Sequence, residues 1–114
     1  MKTFDNHAPI NFSNASKIAY STRDGGAYAG IGHNDVEIWQ GKSMIHVFQD
    51  YSSGCTDSYH PNGTRSVTYL FGARTKEEII AWLLAQLKAR EDEGLLPSQI
   101  NELLEDLNYA AEPA

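Results

Sequence analysis

Glu37 and His46 are the first residues in this chain whose types and spacing could do chemistry. They flank Gly41-Lys42, and if those two residues form a tight turn, the carboxylate and the imidazole face each other across a hairpin. That is a general-base arrangement in outline, because a carboxylate both orients an imidazole and favours its protonated form. It is also an ordinary cross-strand charge pair, worth roughly 0.2–1 kcal/mol, and neither a nucleophile nor an oxyanion donor adjoins it in sequence. A second set lies in residues 50–63, the longest irregular stretch, where Cys55, Asp57 and His60 could pair a thiolate with a base or contribute to a metal site. Zinc sites take four ligands in recognisable pairs, and this chain has one cysteine, so no metal and no cofactor is expected. The same stretch carries Tyr51, Ser52, Ser53, Tyr59, His60 and Asn62, the rigid aromatics and adaptable polar groups of binding loops, which makes recognition the better reading.

A third set is the glycine series Gly25, Gly26, Gly30 and Gly32. It lacks the following helix that would receive a phosphate. Together with Arg23, Arg65 and Arg74 these glycines could bound a small pocket for a nucleotide-like anion.

The elements that position these residues follow from hydrophobic period. Strand-like runs occupy 17–22, 27–31, 35–40, 43–50 and 64–71, with short Gly-rich connections that imply an antiparallel meander of four to five strands. With Gly41-Lys42 as a two-residue loop, Trp39 opposes Met44, Ile38 opposes Ile45, Glu37 opposes His46 and Val36 opposes Val47. One face then carries Val36, Ile38, Ile45 and Val47, a β-branched surface suited to covering by helices. The other carries Trp39, Met44 and Phe48 around Glu37 and His46. Residues 64–71 alternate with Arg65, Val67, Tyr69 and Phe71 on one side.

Helical period takes over at Thr75, which forms a capping box with Glu78. The first stripe is Ile80, Leu83, Leu84 and Leu87, broadened by Ile79 and Trp82. After Gly94, the segment Leu95-Leu96-Pro97-Ser98 starts a second helix with the stripe Ile100, Leu103, Leu104 and Leu107. The expected whole is a single α+β domain over 1–114: an arm or edge strand at 1–16, a sheet at 17–72, and a helical pair at 75–109 packed on one sheet face. The Trp39, Met44 and Phe48 face is then left open for a partner, a ligand or a second copy in a homodimer.

Charge sharpens the division. Residues 1–75 hold six acidic and six basic side chains, while 76–114 hold nine acidic and three basic ones, which places the whole net charge of −6 in the helical part. Few dispersed cations argue against direct duplex nucleic-acid binding. An acidic helical pair, with Glu102, Glu105 and Asp106 on the second helix, suits a protein partner with a basic surface. No apolar run approaches the ~20 residues that cross a bilayer, and a lone Cys55 fits a reducing compartment, so a cytoplasmic protein without membrane contact is expected.

In size, acidity and layout, a meander over 22–71 preceding a helix pair over 75–108, the chain resembles small phage-encoded antagonists of bacterial immunity. That loose class includes anti-CRISPR proteins and proteins that sequester nucleotide immune signals. The resemblance implies a non-enzymatic inhibitor that blocks a protein or nucleic-acid-binding surface, or alternatively a sponge for a nucleotide-like signal. The contact residues expected from the sequence are Trp39, Met44, His46, Phe48, Tyr51, Tyr59, His60, Arg65, Glu102, Glu105 and Asp106.

Overall fold

Alternating β-branched residues separated by turn formers give four strands in the computed structural model, which describes residues 1–23, 33–52, 65–88 and 95–108. These are β1 (Ser16–Arg23), β2 (His33–Gln40), β3 (Ile45–Ser52) and β4 (Arg65–Ala73), antiparallel throughout and in the order β1-β2-β3-β4. Two helices follow, α1 (Lys76–Lys88) and α2 (Pro97–Asp106), giving an α+β layout. The run at 27–31, the Asp24-Gly25-Gly26 turn and the Gly94 stop lie outside the described residues.

The β2–β3 register differs from the expected one by two residues. Gln40 opposes Ile45, Trp39 opposes His46, Ile38 opposes Val47 and Glu37 opposes Phe48, so Glu37 does not face His46, nor Trp39 Met44. The cause is the position of the turn: Gly41 donates its N–H to the Met44 carbonyl at 2.8 Å, which pairs these two residues and centres the turn on Lys42-Ser43 rather than on Gly41-Lys42. A shift of two keeps every side chain on its own face, because the pleat has period two. Val36, Ile38, Ile45 and Val47 therefore still share one face, and all four are buried.

Two bulges adjust the sheet margins. Lys17 opposes Trp39 while Ala19 opposes Ile38, leaving Ile18 as an extra residue in β1. In β4, Tyr69 opposes Phe48 while Phe71 opposes Val47, leaving Leu70 extra. The second bulge corrects the uniform alternation expected for 64–71. It leaves Tyr69 with Phe48 and sends Phe71 to the opposite face, where its ring stacks on Trp82 of α1 at 5.2 Å and 6°.

Both helices cover the β-branched face. Thr75 caps α1: its hydroxyl accepts the Glu78 N–H at 3.2 Å and donates to the Glu78 carboxylate at 3.0 Å. The carboxylate thus returns to the cap hydroxyl rather than to the cap amide. Glu77 and Glu78 in the first turn and Lys88 in the last complement the helix dipole. Pro97 opens α2, and Asn108 follows it at φ 60, a left-handed position that asparagine tolerates. Ile79 and Leu83 of α1, with Ile100, Leu103, Leu104 and Leu107, close the core over β1 to β3. No described helix is long and apolar enough to cross a membrane.

Residues 1–15 form the third layer. Lys2 and Ile10 exchange backbone hydrogen bonds at 2.8 and 3.0 Å, making a small ribbon that lies on the face opposite the helices. It also covers the open edge of β4. Asp5 donates its N–H to the Val67 carbonyl and accepts the Val67 N–H on its carboxylate. The Asn6 amide pairs with the Tyr69 backbone at 2.9 and 2.7 Å. Two side chains thus stand in for a missing strand and satisfy edge groups that would otherwise template association.

Candidate functional site

The face expected to be open is covered by the chain itself. Phe48, expected as a contact residue, is 1 % exposed, with the rings of Phe4 and Phe12 at 5.5 and 5.8 Å and the Lys2 ammonium 5.1 Å above its ring. Phe12 stacks on Trp39 at 5.4 Å and 12°, so Trp39 is half-buried as well. Met44 sits over Gly72, its methyl 3.3 Å from where a Cβ would stand. The apolar face that invited a homodimer is therefore satisfied within one chain. The sequence signal was the pair Phe4 and Phe12, whose rings only the folded ribbon brings onto Phe48.

At the margin of this cover, His46 and Tyr69 form a polar pair that sequence reasoning missed. The His46 Nδ1 lies 2.8 Å from the Tyr69 hydroxyl, and the His7 ring stacks on Tyr69 at 4.2 Å. Burial, then the proximity of His7, hold the His46 pKa below its ordinary value, and burial raises that of Tyr69. Both groups are accordingly neutral near pH 7. One hydrogen bond joins the two, given by the phenol when the imidazole proton is on Nε2 and by the imidazole when it is on Nδ1. Gly72 permits the arrangement, because any Cβ there would collide with the Tyr69 hydroxyl. The expected partner Glu37 is engaged elsewhere: it accepts from the Trp39 indole at 2.9 Å and pairs with Lys17 at 3.5 Å.

At the end of the sheet where β1 finishes and β2 begins, Asp35 and Asp50 lie opposite each other. His33 Nε2 reaches both, at 3.8 and 3.3 Å. The Thr22 hydroxyl donates to Asp35 at 2.5 Å, and Lys2 pairs with Asp50 at 3.8 Å. No group of residues suited to hold a metal ion occurs among the described residues. This cluster instead ties two facing carboxylates to neighbouring side chains and anchors the ribbon through Lys2.

Of the other expected contact residues, Tyr51 is half-buried on β3 beside Asn34 and Ser66. Arg65 opens β4 opposite Ser52. Tyr59 and His60 lie outside the described residues, as do Cys55, Asp57 and the four glycines. The three arginines do not gather: Arg23 and Arg65 stand at one end of the sheet, and Arg74 follows the other end of β4, a strand length of roughly 26 Å away.

The helical carboxylates divide by role. Glu102 accepts from the Ser21 hydroxyl and is ion-paired to Arg23. Asp106 accepts the Tyr20 N–H at 2.9 Å, capping the outer edge of β1. Glu105 is exposed and makes no side-chain bond among the described residues, and Glu77 and Glu78 are exposed on α1. Comparison with known proteins gives no match, whether to a family model, a curated protein or a solved structure.

Proposed function

We propose that this chain is a non-catalytic antagonist that presents its acidic helical layer to a basic, nucleic-acid-binding groove of a host complex, in the manner of anti-CRISPR proteins. One observation carries this reading. The carboxylates of the sheet, Asp35, Glu37 and Asp50, are each held by a cation or a hydrogen-bond donor, whereas Glu77 and Glu105 of the helices face solvent with no side-chain partner among the described residues, and Glu78 is exposed beside its Thr75 cap. Among the described residues the exposed carboxylates without a cation therefore gather on the helical layer, and α2 has no basic residue in its last turn. A fixed array of carboxylates complements a groove built for phosphates and speeds encounter with it.

The test is inhibition of target-DNA binding by a panel of reconstituted CRISPR effector complexes. Wild-type protein should inhibit at least one, more strongly at low salt, and Glu77→Lys/Glu105→Lys should weaken inhibition by about tenfold. These two positions are chosen because neither holds the sheet. Absence of inhibition across the panel, or equal inhibition by the double variant, would remove this reading and leave the charge as a solubility feature.

A further inference from the structure

A cleft of about 460 Å³ opens where the β2–β3 turn, the end of α2 and the start of α1 converge. Its volume lies within the range of small-ligand pockets, roughly 300–1,000 Å³. Ile18 supplies the partly exposed apolar wall, Ile45 and Leu107 lie buried at the floor, and Arg74 and Lys76 line the same space. Neither cation makes an ion pair with any described residue. Ile18 is the extra residue of the β1 bulge and Ile45 the first residue of β3, so the lining belongs to the rigid sheet. Asp106 is the remaining charge on the cleft, and one of its oxygens is already committed to the Tyr20 amide.

We infer that this cleft binds a small phosphorylated ligand of nucleoside monophosphate size. Arg74 and Lys76 take the phosphate, Ile18 above the buried floor takes the flat body, and the second Asp106 oxygen accepts a hydrogen bond from a ligand hydroxyl or amino group. Two cations without an ion-pair partner among the described residues, beside the partly exposed Ile18, favour an anion with an organic body over a bare one. The Asp106 carboxylate repels a ligand that offers only anionic oxygens. The site is separate from the antagonist reading, since Glu77, Glu78 and Glu105 do not line it, and either can fail alone.

The experiment is an NMR titration of the full chain with adenosine monophosphate, adenosine and inorganic phosphate, following the methyl groups of Ile18, Ile45 and Leu107. The monophosphate should shift those methyls with saturable binding, and adenosine and phosphate should each bind at least about tenfold more weakly. Arg74→Gln and Lys76→Gln should each lower monophosphate affinity about tenfold, the usual weight of a charge-assisted contact. Both residues are exposed, so the fold is expected to persist, and an unchanged amide spectrum away from the cleft verifies it. Methyl groups that do not move at millimolar monophosphate, or affinity unchanged in both variants, would overturn the assignment.

Discussion

Replacing Phe12 by alanine tests whether the amino-terminal ribbon is a structural layer. Phe12 is half-buried and its ring lies within 6 Å of three others: Trp39 at 5.4 Å, His46 at 5.5 Å and Phe48 at 5.8 Å. Full burial of a phenylalanine side chain stabilises by roughly 1.5–3 kcal/mol, so half-burial contributes about 1 kcal/mol. The stacked pair with Trp39 adds about 0.5–1.5 kcal/mol beyond area. Loss of both predicts a destabilisation of about 2 kcal/mol. With a urea m-value near 2 kcal/mol/M for a small domain, the unfolding midpoint should fall by about 1 M. Trp39 itself supplies the local probe. In a Trp82→Phe background its fluorescence should move to longer wavelength when Phe12 is removed, because the indole gains water. A double-mutant cycle of Phe12→Ala with Trp39→Ala should return a coupling of about 0.5–1.5 kcal/mol. A midpoint change under ~0.2 M together with unchanged fluorescence would show that the ribbon does not rest on this face, and the account of how Phe48 is buried would fall with it.

Other consequences follow from single contacts. Gly72→Ala should destabilise by roughly 1–3 kcal/mol through overpacking against the Tyr69 hydroxyl. Part of that loss should return in Tyr69→Phe/Gly72→Ala, and strict additivity in urea titrations would refute the collision. The lowered His46 pKa means that the unfolded chain binds a proton that the folded chain resists. Stability should fall as pH drops through about 6.5, the ordinary histidine value, the loss levelling off below the folded pKa. His46→Gln should flatten that part of the profile, and superimposable melting profiles for the two proteins would contradict it. Thr75→Ala should cost about 1 kcal/mol by uncapping α1; an unchanged midpoint would mean that the cap is dispensable.

The sequence by itself determined what depends on local period and local chemistry. Alternation at Val36, Ile38, Ile45 and Val47 identified the buried face, although the turn sits one residue later than expected, because a slip of two residues in register cannot exchange faces. Thr75-x-x-Glu78 and Pro97 located both helix starts, since capping is settled within one turn of chain. The charge division between sheet and helices was equally plain in composition.

What only the tertiary structure decided are the pairings made between distant residues. Gly41-Lys42-Ser43 does not specify which two of its residues form the turn, so the true partners of Glu37 and His46 emerged only from the closed hairpin. The bulge at Leu70 is invisible in an alternating pattern, yet it places Tyr69 beside His46 and Phe71 against Trp82. Residues 1–15 have no strong period of their own. Their structure comes from pairing with β4 and packing on Phe48, a partner more than thirty residues away, and periodicity carries no record of contacts whose cost is the closure of a long loop.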